Sequence, residues 1–114
     1  MKRVFDSNIR GVKSRLKDVA NDIDFFEGDI RDCDKVNRAC EGIDVVHHLA
    51  YINGTEYFYD MPELILEIAV KGMMNVIDAC RNNNIKVMYV ASSSATYQIP
   101  ITIPPPETER LIVP

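Results

Sequence analysis

The sequence predicts an α/β fold, in which a parallel sheet is flanked by helices. Short apolar runs alternate with stretches of helical periodicity, in the order β–(α)–β–α–β–α–β. The run Lys86–Val90 has the apolar, β-branched composition of a strand buried on both faces, as in a parallel sheet. With 114 residues, the chain is long enough for one domain with one core.

Three strands are expected in the first half of the chain, at Arg3–Asp6, Asp24–Glu27 and Asp44–Ala50. A turn and a weak, charged helix at Val12–Ala20 connect the first two. Asp32 is suited to cap the next helix, whose apolar side chains recur at helical spacing until Gly42.

A longer helix is expected in the second half, after a loop at Tyr51–Tyr59. Asp60 is predicted to cap it, and Pro62 and Glu63 suit its first turn. Its apolar stripe comprises Leu64, Ile65, Ile68, Ala69, Met73, Val76, Ile77 and Cys80. Gly72 lies in the stripe, which suggests close approach of another backbone. From Pro100 onward the prolines predict an extended, irregular tail.

Composition and charge exclude several classes of function. The net charge is −4 and the basic residues form no dense patch, so neither nucleic acid nor an anionic membrane is an expected partner. No apolar run could span a bilayer, and MKRVFDSN lacks a signal-peptide core, which predicts a cytoplasmic protein. The three cysteines have no CxxC spacing, so reduced thiols and no metal site are expected.

Small hydroxyl residues at 91–96 follow the strand Lys86–Val90 directly. Ligands of open α/β sheets bind beyond the carboxyl ends of the strands, so this stretch is a candidate for chemistry. A serine-rich turn without function is the alternative.

Four motifs, in order and at family-like spacing, carry a resemblance to a known family. They are FEGDIRD at 26–32, VVHHLA at 45–50, VKG at 70–72 within the long helix, and VASSSATY at 90–97. The chain thus resembles the extended short-chain dehydrogenase/reductases, and among them the NAD-dependent nucleotide-sugar epimerase/dehydratase family.

The resemblance implies a fold, a cofactor and a set of site residues. Asp6 would bind the adenosine ribose of NAD, and its charge would repel the 2′-phosphate of NADP. Asp29 and Ile30 would contact adenine, whereas Leu49, Ala50 and Tyr51 would pass beneath the pyrophosphate and ribose. Ser93, four residues before Tyr97, would be the catalytic hydroxyl. The alternatives are turn or capping roles for Asp6, Asp29 and Ser93, and His48 is expected to be structural.

Departures from the family pattern indicate a chain truncated at both ends. It has no GxxGxxG to approach the cofactor phosphates, and no tyrosine is followed four residues later by lysine, as the family's acid–base pair requires. Ile68-Ala69 replaces the usual asparagine before VKG, and Gln98 stands where glycine is common. We therefore expect a partial Rossmann-like parallel sheet over 1–99 with the first strand missing, and a tail over 100–114 that leads to the absent catalytic half.

That missing strand is central in the order 3-2-1-4-5-6. Its neighbours, Arg3–Asp6 and Asp44–Ala50, must pair directly, accept a partner's strand or leave open edges.

The leading functional hypothesis is a fragment of an NAD-dependent epimerase/dehydratase that acts on a nucleotide sugar by hydride transfer, inactive by itself. The alternative is a non-catalytic dinucleotide-binding or interaction module of the same fold. A receiver-like domain is disfavoured because the third strand ends without an aspartate. The sugar, the nucleotide and the reaction outcome stay open, and so does the homodimer that the resemblance implies through the long helix.

Overall fold

The computed structural model describes residues 1–52, 54–97 and 101–110. It contains four short strands: β1 (Arg3–Asp6), β2 (Asp24–Glu27), β3 (Val45–His48) and β4 (Val87–Val90). All four lie where the sequence predicts strands, although β3 and β4 are shorter than expected.

The strands form two separate parallel pairs. β1 pairs with β2, with Arg3 opposite Asp24, and β3 pairs with β4, with Val45 opposite Val87. Within the described residues β1 and β3 do not pair with each other, so the order is β2-β1 and then β3-β4 with a gap between the pairs. The parallel pairing is confirmed, and direct pairing of β1 with β3, one of the expected arrangements, is not seen among the described residues.

Helix α1 (Cys33–Ala39) begins as predicted. The Asp32 carboxylate accepts a hydrogen bond of 3.1 Å from the Lys35 backbone N–H. This bond satisfies one of the N–H groups that the first turn of a helix leaves without a partner. The weak helix expected at Val12–Ala20 is instead a 3₁₀ helix, Lys13–Val19.

The prediction of a loop at Tyr51–Tyr59 is wrong for its second half, because helix α2 (Thr55–Asp60) forms there. Asp60 ends this helix and does not cap the next one, α3 (Pro62–Leu66), which starts at Met61 without a side-chain cap. The physical reason is Pro62, because the residue before a proline avoids the helical region. Met61 accordingly has φ −141° and ψ 58°, and the chain bends there.

The predicted long helix continues from α3 through a π-helical segment, Glu67–Gly72, into α4 (Met73–Asn82). Its stripe supplies much of the core, although Ile77 is exposed. The approach to Gly72 comes from a side chain and not from a backbone: a Cβ there would lie 2.6 Å from Cγ2 of Ile30.

The core lies where α1 and the long helix pack under the two strand pairs. Its buried members are Ile30, Val36, Cys40, Ile52, Ile65, Ile68, Val76, Ala79 and Cys80. The expectation that the last strand is buried on both faces is wrong, because Tyr89 is 58% exposed. Only Met88 of β4 packs against the core, so this sheet is covered on one face alone.

The tail over 101–110 consists of bends and turns with no helix or strand, and nearly all of it is exposed. Gln98 and Pro100 lie outside the described residues, so the expectations for those positions stay predictions.

Candidate active site

A small cleft of about 120 Å³, here named the edge cleft, lies at the carboxyl ends of β1, β2 and β3. Asp6 closes β1, Asp29 follows β2, and Ala50 follows β3 by two residues. Parallel strands bring their carboxyl ends to one edge of the sheet, which is where ligands of open α/β sheets bind. The edge cleft is lined by Phe5, Asp6, Ser7, Ile9, Arg10, Gly11, Gly28, Asp29, Ile30, Ala50, Tyr51, Ile52 and Ile68.

Asp6 presents an exposed carboxylate to this cleft. Its Oδ1 accepts a hydrogen bond of 2.6 Å from the backbone N–H of Asn8. A Cβ at Gly11 would lie 2.8 Å from the same oxygen, so only a glycine leaves this side of the carboxylate uncrowded. The loop after β1 thus orients Asp6 and keeps it accessible, as an acceptor of ligand hydroxyls needs to be.

Asp29 lines the edge cleft, and its carboxylate also accepts hydrogen bonds from Arg31 in the same loop. It accepts from the Arg31 backbone N–H at 2.8 Å and from Arg31 Nη2 at 2.7 Å. Arg31 also reaches Glu67 in the π-helical segment, at 2.7 Å. Hydrogen bonds from Arg31 lower the pKa of the Asp29 carboxyl. The turn role that the sequence left open for Asp29 is therefore present, and a ligand would share the carboxylate with Arg31.

Ile30 is buried, and its position is fixed from two directions. Its side chain packs on Gly72 of the long helix, and its carbonyl oxygen accepts from Asn75 Nδ2 at 2.9 Å. Sequence reasoning missed Asn75, which lies six residues beyond Ala69 on the same helix and supplies an amide in this region. The backbone of Ile30 is consequently held rigidly at the wall of the edge cleft.

Ala50 and Tyr51 line the edge cleft, whereas Leu49 and His48 line a larger opening next to it. Leu49 is 70% exposed. Burial lowers the pKa of the half-buried His48, so its ring is neutral at pH 7. A neutral, half-buried ring agrees with the structural role expected for it.

Ser93 follows β4 by three residues and is exposed. Because β4 runs parallel to β3, Ser93 lies at the same edge of the sheet as the candidate cofactor residues. In the part of the chain that the structure describes, however, Ser93 lines neither the edge cleft nor the larger opening. Its carbonyl oxygen accepts from Oγ1 of Thr96 at 2.8 Å, which closes the turn after the strand.

The structure adds Arg10, Gly11 and Gly28 to the residues that the sequence singled out. Arg10 lines the edge cleft, and its guanidinium carbon lies 5.7 Å from the ring centroid of Tyr57. A Cβ at Gly28 would lie 2.7 Å from the Phe5 ring, so this strand end has no room for a side chain. The signal for these residues was their place directly after strands β1 and β2.

The residues present fit one end of a dinucleotide. An exposed carboxylate, a buried isoleucine and two glycines match a ribose and the flat, apolar face of a base. About 120 Å³ is below the roughly 300–1,000 Å³ of typical small-molecule sites. The edge cleft alone therefore accommodates part of such a cofactor.

Other kinds of site find little support in the described residues. They contain no cluster of three His, Cys, Asp or Glu side chains that could hold a metal ion, and no helix long and apolar enough to cross a membrane. Cys33 is exposed, whereas Cys40 and Cys80 are buried thiols. Burial raises the pKa of Cys40 to about 11, so this thiol is protonated at pH 7.

The fold is that of a Rossmann-type α/β domain, and the edge cleft lies at the carboxyl ends of its strands. Residues 3–112 match the model of the NAD dependent epimerase/dehydratase family, and the chain belongs to that family.

Three relatives illustrate the similarity. A UDP-glucose 4-epimerase of Lactobacillus helveticus is 33% identical over 82 residues, which are 70% of this chain and 25% of that protein. The structure of Pen from Bacillus thuringiensis is 30% identical, with TM-score 0.71, over 82% of this chain and 30% of that one. UDP-glucose 4-epimerase from Brucella ovis, solved with NAD, is 28% identical, with TM-score 0.77, over 96% and 33%. The chain thus spans about a quarter to a third of these relatives.

Proposed function

We propose that the chain forms the adenosine-binding part of an NAD-dependent epimerase/dehydratase that acts on a nucleotide sugar. The observation that carries the proposal is the edge cleft, where Asp6, Asp29, Ile30, Ala50 and Tyr51 come together from three strand ends. The family match and the UDP-sugar epimerases among its relatives support the substrate class.

Each residue has a defined role in this proposal. The Asp6 carboxylate accepts the hydroxyls of the adenosine ribose, while the backbone at Ile30 and the Asp29 carboxylate contact adenine. Leu49, Ala50 and Tyr51 pass beneath the ribose and pyrophosphate. When bound, NAD supplies the hydride acceptor for a sugar carbon and returns the hydride later in the reaction.

Ser93 is the proposed catalytic hydroxyl, since it stands at the same edge of the sheet. It would donate a hydrogen bond to the sugar oxygen at the carbon that is oxidised or reduced. The acid–base partner would come from the portion of the enzyme that the proline-rich residues 100–114 lead to, which makes 1–99 the cofactor-binding domain. We expect the protein to act in the cytoplasm.

The proposal is tested at Asp6 by calorimetric titration of NAD. Wild-type chain is expected to bind NAD with a Kd of about 1 mM or tighter, roughly −4 kcal/mol. Asp6→Asn should weaken binding about tenfold, because a hydrogen bond to a charged group contributes about 1.5–3 kcal/mol. Asp6→Asn should also narrow the preference for NAD over NADP, since the carboxylate repels the 2′-phosphate.

Asp22→Asn is the matched control, because Asp22 lies in the turn before β2, at the opposite edge of the sheet. It makes the same change in charge and should leave the Kd unchanged. Equal affinities of wild type and Asp6→Asn for NAD would contradict the assignment of the edge cleft.

A non-catalytic dinucleotide-binding module is the second candidate. It is favoured by the tyrosines of this chain, none of which has lysine four residues later. Joining the chain to the catalytic half of a relative separates the two candidates. The enzyme part should restore conversion of the UDP-sugar, whereas a binding module would bind NAD and restore no conversion.

A further inference from the structure

Arg31 joins the edge cleft to the π-helical segment of the long helix. Its guanidinium donates to the Asp29 carboxylate on one side, with Nη2 2.7 Å from Oδ2, and to the Glu67 carboxylate on the other, with Nη1 2.7 Å from Oε2. We propose that Arg31, held by Glu67, is a positioning residue that directs one oxygen of Asp29 to the amino group of adenine and thereby makes the site specific for that base. The inference rests on the proposed function, in which Asp29 contacts adenine.

The two oxygens of Asp29 are not used equally within the described part of the chain. Oδ1 accepts from the backbone N–H of Arg31 at 2.8 Å and from Nε at 3.0 Å. Oδ2 accepts from Nη2 at 2.7 Å, and its contact with Nε, at 3.2 Å, is the longer of the two that Nε makes. Each oxygen of an ionised carboxylate has about two acceptor sites. Oδ1 is therefore filled, whereas Oδ2 keeps one site for a further donor.

The second ion pair fixes the orientation of the guanidinium. Glu67 belongs to the π-helical segment, and the next residue, Ile68, lines the edge cleft. The side chains of Arg31 and Asp29 are 30% and 32% exposed, so both are partly screened from water. A planar guanidinium that is hydrogen-bonded on two sides has little freedom to rotate. The plane of the Asp29 carboxylate is consequently fixed with it.

The backbone around this ion pair is held as well. Ile30, between Asp29 and Arg31, is buried, and its carbonyl oxygen accepts from Asn75 Nδ2 at 2.9 Å. The carbonyl oxygen of Asp29 accepts from the Asp32 backbone N–H at 3.0 Å. Both the backbone and the carboxylate of Asp29 are thus ordered before a ligand binds, which reduces the entropy lost on binding.

The fixed carboxylate can discriminate between bases by hydrogen bonding. Hydrogen bonds from Arg31 lower the pKa of Asp29 and so favour the ionised form, which accepts hydrogen bonds and donates none. The amino group of adenine is a donor and suits the remaining site on Oδ2. Hypoxanthine carries a carbonyl oxygen at the same ring position, so its complex would bring two acceptors together and lose the hydrogen bond.

The test compares the Kd of NAD with that of nicotinamide hypoxanthine dinucleotide, both measured by NMR titration of the chain. Wild type is expected to bind NAD about tenfold more tightly, because the analogue lacks a hydrogen bond to a charged group. Arg31→Gln frees the carboxylate to rotate into water and should reduce the ratio of the two Kd values to about threefold or less. Arg31→Lys keeps the charge but not the planar fork, so it should not restore the wild-type ratio.

A pair of glutamates on the long helix provides a matched comparison. Glu67→Ala removes the partner of Nη1 and should lower the ratio. Glu63→Ala removes an exposed carboxylate one turn earlier and should leave the ratio unchanged. Circular dichroism checks that each variant folds, and urea unfolding measures its stability. Loss of stability with an unchanged ratio is what a purely structural role of Arg31 predicts.

Three results would overturn the positioning role alone. They are equal Kd values of the two dinucleotides for wild type, a wild-type ratio in Arg31→Gln, and full restoration of the ratio by Arg31→Lys, which would assign the effect to charge without geometry. In each of these cases Asp6→Asn can still weaken NAD binding, so the proposed function is judged separately. A folded wild-type chain that binds neither dinucleotide would overturn both the positioning role and the proposed function.

Discussion

Gly72 and Ile30 show how one residue pair connects the site to the core. Gly72 has helical angles, φ −59° and ψ −47°, so its backbone does not require glycine. The requirement is space, because Ile30 packs where a Cβ would stand. Ile30 in turn cannot easily move, since it is buried and Asn75 binds its carbonyl. The glycine therefore fixes the wall of the edge cleft from the helix side.

Gly72→Ala is expected to lower the free energy of unfolding by about 1 kcal/mol. Overpacking costs about 1–3 kcal/mol, whereas alanine regains about 1 kcal/mol of helix propensity. Urea unfolding measures the difference, and Met74→Ala at an exposed position of the same helix should change stability by less than about 0.5 kcal/mol. A variant more stable than wild type would contradict the steric role of Gly72.

At the scale of single residues, the sequence predicted that another group approaches Gly72 closely. It did not predict that this group is the side chain of Ile30. Helical periodicity shows which face of a helix is apolar, yet it does not identify the neighbour across the interface. The same holds for Asp29, because its partner Arg31 also donates to Glu67, which lies 36 residues beyond Arg31 in the sequence. Its proposed contact with adenine stays a prediction.

Elements were predictable where local chemistry decides them. The Asp32 cap and the four strands follow from residues within a few positions of each other. The start of the long helix was not predicted correctly. Asp60 is a good capping residue, but Pro62 restricts the backbone of Met61, and the helix begins after Met61. The exposed face of β4 could not be predicted either, since an apolar strand does not show whether the covering layer belongs to the same chain.

The link between the loop after β2 and the π-helical segment predicts a dependence of stability on pH. Arg31 lowers the pKa of Asp29 in the folded state, so the folded state favours the carboxylate. This contribution is present above the unfolded pKa of about 3.9 and is lost as the pH falls through the lower folded pKa. Asp29→Asn should therefore destabilise the chain at pH 7, and by less as the pH falls below about 4.

Urea unfolding of wild type and Asp29→Asn between pH 7 and pH 3 measures that loss. Asp44→Asn removes one exposed carboxylate elsewhere and serves as the matched control. A difference between wild type and Asp29→Asn that stays constant down to pH 3 would show that the ion pair with Arg31 contributes nothing through the titration of Asp29.

The whole molecule is two strand pairs that share one helical core. Helices α1 and α4 pack on each other beneath both pairs, and Asn83 Nδ2 donates to the carbonyl oxygen of Asn37 at 3.2 Å between them. The sequence predicted parallel strands, because apolar runs alternate with stretches of helical periodicity. It did not predict whether the gap closes, since that depends on how firmly the helices hold the two pairs apart.

If packing on the helices stabilises both strand pairs, a substitution that weakens this packing should lower the hydrogen-exchange protection of both pairs. Val76 is 6% exposed and lines the larger opening next to the edge cleft, which residues of β1 and β3 line as well. Val76→Ala should cost about 2 kcal/mol, because it removes buried methyl groups and leaves a cavity. Amide hydrogen exchange should show the same loss of protection in β2 and in β4, whereas Val70→Ala at an exposed helix position should change neither. Loss of protection in one pair alone would mean that the two pairs unfold independently and that the helical layer does not unite them.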